Sequence, residues 1–226
     1  MPKRSYQSVQ RAVSAENTRR SILDAALFLF EERGYPQTTM AEIAARAHVS
    51  MNAIYSGIGG KPHLLVALIA EIVQESQTVW SVTDIESVLS GPTLLRRIAS
   101  GARSILERHE WMLGQLFENV ATEPLIASAA AQGDSLLKSN LAAAAERLAR
   151  LGVLQTDLMT ARAADVMWFY FGFSLWRELR AAGWNWQESE DWLVKQAGLA
   201  LLKESQTTTM EKTSQAMFSE SESSHN

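Results

Sequence analysis

Asn52, Ala53 and Ser56 place a carboxamide, a methyl and a hydroxyl within five residues, and each group has a counterpart on the edge of a DNA base. An Asn carboxamide pairs bidentately with adenine. An Ala methyl meets the methyl of thymine, and a Ser hydroxyl discriminates little. Counting about 100° per residue from Met51, these three side chains fall near roughly 100°, 200° and 140°, on one side of a helix. Ile54 and Ile58 fall near roughly 300° and 340°, on the side a helix buries. Tyr55 and Met51 flank the apolar side, with Tyr55 placed to reach a phosphate. No Arg or Lys stands on the outward side. Guanine readout from this helix is therefore weak, and an A·T step is expected where it enters the groove.

Short helices need neighbours and caps to hold such groups in place. Thr39 with Glu42 forms a Thr-x-x-Glu capping box, which predicts a helix from Met40. Ile43, Ala44 and Ala47 give it an apolar face. His48 and Val49 interrupt it, and Ser50 is an N-cap for the helix that carries Asn52. Val49 and Ile54 stand where a hydrophobic staple packs. Two short helices with a tight break, near one end of a chain, are the pattern of a helix–turn–helix that reads the major groove. Upstream, Ile22, Ala26, Leu29 and Phe30 repeat at helical spacing. Gly34 and Pro36 end that helix, which is expected to begin near Ser14 or Asn17. The run from Gly57 to Pro62 is not a phosphate loop: no strand precedes it and Pro62 replaces the Ser or Thr that would hold magnesium. It reads as a turn into a fourth helix over residues 62–80, with Pro62 near its first position.

The wording of residues 39–50, with Ile54-Tyr55, Gly60-Lys61 and Leu64-Leu65, resembles the DNA-binding domain of TetR-type transcriptional repressors. The stretch from Ile22 to Tyr35 with Thr38-Thr39 is similar to that family's first helix and turn, so the resemblance covers roughly residues 16–66. It departs from the family pattern in three places. His48 stands where Gly is usual, at a turn that favours a left-handed backbone. Met51-Asn52-Ala53 replaces a commoner Lys-Gly-Thr, and Ile58 replaces Phe. The resemblance implies a homodimer on a palindromic operator, released by a small effector. It implies DNA contacts by Thr39, Ser50, Met51, Asn52, Ala53, Tyr55, Ser56 and Lys61, the last gripping a phosphate beside the helix amides. Dimerisation through the last two long helices is also implied.

The rest of the chain constrains this picture. Residues 1–65 hold eight Lys/Arg and five Asp/Glu, whereas residues 66–226 hold thirteen and twenty, so the net −4 hides a basic N-terminal part. Without cysteine there is no disulfide or thiolate metal site. The four histidines do not stand at metal-ligand spacing and no nucleophile elbow occurs, so no metal, cofactor or catalytic residue is expected. No run is long and apolar enough for a membrane span or signal peptide, and a cytoplasmic protein is expected.

An all-α fold is expected: a basic flexible arm over 1–13, a helix–turn–helix domain over 14–66 with its motif at 39–58, a helical ligand-binding and dimerisation domain over 67–205, and a disordered tail over 206–226. The boundary is placed within the fourth helix. After the Ser90-Gly91-Pro92 breaker the expected helices are 93–108, 110–119, 124–150, one long helix from Thr156 to Ala182, and one from Asn185 to Lys203. The second half is aromatic. Trp80, Trp111, Met112, Phe117, Trp168, Phe171 and Leu175 are candidate walls for a mostly apolar or aromatic effector. Tyr170, Phe173, Trp176, Trp192 and Leu199 are candidate dimer contacts, because a helix apolar on two sides needs cover on both. The rival reading is an all-helical small-molecule-binding or interaction protein in which the helix–turn–helix is only scaffold.

Overall fold

Two capping boxes fix helix starts by local chemistry alone. Thr39 and Glu42 bond each other's backbone N–H at one, Asn185 and Glu188 at the other, as their spacing predicts. The computed structural model describes residues 3–80 and 82–206, with side chains for 10, 12–80 and 85–206. The described residues form α1 (Lys3–Arg33), α2 (Met40–Arg46), α3 (Met51–Gly57), α4 (Lys61–Val79), α5 (Val82–Ser87), α6 (Gly91–Arg108), α7 (Glu110–Asn119), α8 (Pro124–Arg150), α9 (Thr160–Phe171), α10 (Phe173–Ala181) and α11 (Trp186–Leu201). The fold is all-α, and among the described residues the only extended pairing is an isolated bridge between Leu154 and Leu202.

Three elements differ from expectation. The first helix does not begin near Ser14 or Asn17: α1 already runs from Lys3, so residues 3–13 are helical rather than an irregular arm. Neither Gly nor Pro interrupts this stretch, and Ser14 sits inside the helix, its carbonyl accepting from Thr18 Oγ1 at 2.9 Å. Second, a short α5 stands between the fourth helix and the Ser90-Gly91-Pro92 breaker, where no helix is expected. Third, the single helix expected from Thr156 to Ala182 starts only at Thr160 and is broken at Gly172. The expected tail falls outside the described residues from 207 onward.

The chain forms two compact units, and they do not follow a single cut at residue 66. One unit runs to Gln74 and also takes in His109–Gln132; the other comprises Glu75–Arg108 and the chain from Gly133. The boundary between the units falls inside α4, between Gln74 and Glu75, and α7 and the start of α8 belong with the N-terminal helices. In the first unit Ile22, Leu23, Ala26, Leu29 and Phe30 of α1 are buried, with Ile43, Ile54, Leu64, Leu65 and Leu68. The Phe30 and Tyr35 rings meet edge-on at 5.2 Å.

In the second unit α11 packs on α6 and α9. Leu193, Val194, Ala197 and Leu201 of α11, Leu94, Leu95 and Ile98 of α6, and Met167 of α9 are buried. Polar groups join α6 to α11. Arg103 meets Glu190 at 3.3 Å, and Arg96 meets Asp191 at 3.0 Å; within α6, Arg103 also meets Glu107 at 3.0 Å. Burial raises the Glu190 carboxyl above its ordinary range, and Arg103 opposes that shift.

Gly172 carries the break between α9 and α10. Its extended backbone (φ −71°, ψ 154°) interrupts the helix, and its N–H donates to the Trp168 carbonyl at 2.9 Å. A Cβ here would lie 2.6 Å from that oxygen, closer than real contacts allow. Gly172→Ala is expected to lower stability by about 1–3 kcal/mol through this backbone clash. Denaturant unfolding tests this: an unchanged midpoint would show that the break does not depend on glycine.

Candidate nucleic-acid interface

A seven-residue helix does not persist in water by itself, so α3 depends on its ends and its one buried anchor. Ile54 supplies the anchor, with no exposed surface. Ser50 caps the start, its hydroxyl accepting from Ala53 N at 3.1 Å. The preceding turn closes α2 in a Schellman arrangement: Val49 N donates to Ala44 O at 3.0 Å and His48 N to Ala45 O at 3.3 Å. His48 occupies the left-handed position with φ 55°, as its place in the motif predicts. A non-glycine residue there costs about 1 kcal/mol.

This seating turns the predicted reading side outward. Asn52, Ser56, Tyr55 and Met51 are exposed, Ala53 is half-buried, and Ser50 and Thr39 are also exposed. Ser56 Oγ donates to Ala53 O at 3.3 Å, which leaves the oxygen as an acceptor. Ile58, expected on the buried side, is half-buried. Thr39 is held firmly. Its N–H and hydroxyl donate to Glu42 Oε2 at 2.9 and 2.8 Å, and Arg33 grips the other carboxylate oxygen at 2.6 Å. The backbone hydrogen bond from Thr39, then its side chain, then Arg33 hold the Glu42 carboxyl below its ordinary range.

Lys61 departs from expectation. Instead of standing ready for a phosphate, its ammonium donates to the carbonyls of Tyr35 at 2.8 Å, Pro36 at 3.1 Å and Thr38 at 3.1 Å. Partial burial lowers its pKa, and Glu123 pushes the other way. The buried Tyr35 phenol is raised to about 12, first by burial and then by Glu123. Other basic groups of this unit are also engaged within it. Arg20 pairs with Glu71 at 2.8 Å, and the Arg46 guanidinium lies 3.3 Å from the centroid of the Phe28 ring. None of these pairings is visible in the spacing of residues, because the partners lie far apart in the chain.

The candidate effector residues do not gather in one unit. Trp111, Met112 and Phe117 belong to the first, and Trp80, Trp168, Phe171 and Leu175 to the second. Met112, Trp80 and Phe171 are buried, whereas Trp111, Phe117 and Leu175 are half-buried. Trp168 is a surface residue instead: its indole N–H donates to Asp134 at 2.6 Å, and Lys138 lies 4.3 Å from the ring centroid.

The candidate dimer contacts also need correction. Trp176 has no exposed surface and packs on Trp186 at 5.9 Å, so it is core. Tyr170, Phe173 and Trp192 are half-buried, and Leu199 is 50% exposed. Phe169, 58% exposed, and Met159, 68% exposed, were not singled out as contacts. On an unbroken helix Phe169 and Trp176 share a face at i, i+7. The break at Gly172 separates them, and that break leaves no local signal beyond one glycine.

The family profile described as bacterial regulatory proteins, tetR family, matches residues 22–68. The chain is 41% identical over 59 residues to the uncharacterized HTH-type transcriptional regulator TtgW of Pseudomonas putida, a match covering 26% of this chain and 44% of that one. It is 28% identical over 145 residues to the HTH-type transcriptional repressor KstR of Rhodococcus jostii, covering 64% of this chain and 58% of that one. The chain thus spans less than two thirds of the length of these curated relatives. The solved SmeT–triclosan complex shares the fold at TM-score 0.65 and 19% identity, over 83% of this chain and 92% of that one.

The interface generates two expectations. Asn52→Ala should cost roughly 1–3 kcal/mol of binding to a selected duplex and relax base choice at one position, read by selection from random duplexes. Unaltered sequence preference would remove Asn52 from the reading face. The Thr39–Glu42 cap should be fully present above the ordinary carboxylate pKa and lost as pH falls through the depressed pKa of Glu42. Glu42→Gln should therefore flatten the acid limb of the thermal-stability profile; parallel limbs for both proteins would show that this cap does not titrate.

Proposed function

Since the chain belongs to the TetR-type transcriptional regulators, we propose that it is a sequence-specific repressor that binds a palindromic operator as a homodimer and is released by a small effector. The observation that carries this reading is the α2–α3 pair. Both helices are capped, the turn between them is left-handed, Ile54 is buried, and Asn52 and Ser56 stand exposed. Thr39 and Tyr55 contact phosphates beside the base-reading side chains.

The dimer forms through α9 and α11, where Phe169 and Leu199 present large apolar surface. The effector is mostly apolar or aromatic; in the structurally similar SmeT the bound compound is triclosan. Effector binding favours a spacing of the two reading heads that does not fit the operator. The protein acts in the cytoplasm, where its operator lies, and carries no catalytic activity. Among the described residues no single helix is long and apolar enough to cross a membrane.

Salt-dependent binding to duplex DNA separates this reading from a helical binding protein with an idle helix–turn–helix. The logarithm of affinity should fall linearly with the logarithm of salt concentration. Sedimentation at micromolar concentration should give about twice the mass of one chain, and Phe169→Asp with Leu199→Asp should yield monomers that bind the operator at least about tenfold more weakly. A wild-type monomer across the concentration range would sink both the dimer and the palindrome.

A further inference from the structure

The turn between α1 and α2 gathers backbone oxygens around one point. The carbonyls of Tyr35, Pro36 and Thr38 all lie within 3.1 Å of Lys61 Nζ. An ammonium has three N–H donors, so these three oxygens take all of them. The face of the Tyr35 ring, its centroid 4.7 Å from Nζ, closes another side. Thr38 ties the same turn from the other direction: its hydroxyl lies 3.0 Å from both Leu29 O and Gly34 O, and the residue is buried. The turn is thus a cation site built of main chain and filled by a side chain from the start of α4.

We propose that Lys61 is a positioning residue for the reading helices and not a phosphate contact: by holding the 35–38 carbonyls it fixes the chain entering Thr39, hence the start of α2 and the seat of α3. This role rests on the DNA-binding reading above. Thr39 follows the last of the three carbonyls directly, and α2 packs on α3. Removing the ammonium leaves three inward-facing oxygens without their donor, and the turn relaxes.

Charge and shape distinguish this role from phosphate gripping. A Lys that neutralises a phosphate contributes about one unit to the salt slope of binding. An ammonium committed inside the protein acts through geometry, so its loss lowers affinity at every salt concentration and leaves the slope alone. Arg serves a phosphate at least as well as Lys. Its planar fork does not converge on three oxygens around a single point.

The test uses the full chain, a duplex selected from random sequence, and the variants Lys61→Met, Lys61→Arg and Thr39→Ala. Helix content by circular dichroism identifies variants that keep the fold. Both Lys61 variants are expected to bind about tenfold more weakly at all salt concentrations with unchanged slope. Hydrogen exchange at residues 35–40 of the free protein should quicken in both. The Thr39→Ala loss should shrink in the Lys61→Met background, because Thr39 is then already misplaced. Wild-type affinity in Lys61→Arg, with a slope reduced by about one in Lys61→Met, would overturn the proposal and make Lys61 a phosphate contact. Normal binding with unchanged exchange in Lys61→Met would overturn the positioning role alone. No duplex binding by the unaltered chain would overturn the DNA reading, and the positioning role with it.

Discussion

Burial of Ile54 is the contact on which the proposed reading surface depends. One side chain fixes the rotation of a seven-residue helix, and every exposed group on α3 takes its direction from it. A helix this short draws little stability from its own hydrogen bonds. Its register comes from the Ser50 cap at one end and from Ile58 and Gly59 at the other, whose N–H groups both return to the Ile54 carbonyl at 2.8 and 3.1 Å. His48 belongs to the same arrangement: the left-handed residue sets the angle at which α3 leaves α2.

Around that anchor, charge serves positioning as much as attraction. Arg33 steadies the carboxylate that caps α2, Arg20 meets Glu71, and Arg46 lies on an aromatic face. A basic excess counted from sequence therefore overstates the cations facing a nucleic acid. The same holds in the second unit. There Arg147 donates twice to the Val88 carbonyl, at 3.1 and 2.8 Å, and Arg103 serves a buried carboxylate.

What the sequence made legible was local. Both capping boxes, the Ser50 cap, the left-handed turn at His48 and the limits of α7 and α8 follow from residues within a few positions of one another. The outward set on α3 followed from helical spacing and one buried isoleucine. What stayed hidden came from distance. The Lys61 cage joins residues up to 26 positions apart, and Trp168 finds Asp134 34 positions away. The α9–α10 break turns on one carbonyl too close for a Cβ, so the candidate contacts Tyr170, Phe173 and Trp176, placed on a single helix, included a core residue, Trp176. The early start of α1 had the opposite cause: no apolar period marks residues 3–13, but neither Gly nor Pro stands there to stop a helix.

The two compact units divide within α4, and the N-terminal one includes His109–Gln132. Modular grafting has to respect that arrangement. A head cut at residue 66 and joined to another scaffold would leave behind the part of α4 up to Gln74 that its own unit contains. It would also lose α7 and the first turns of α8, including Met112, Leu116 and Ile126, three buried side chains. The helix–turn–helix is contiguous in sequence, but the piece that folds with it is not. A transplantable head from this chain therefore consists of two segments, the second drawn from what sequence alone assigns to the regulatory domain.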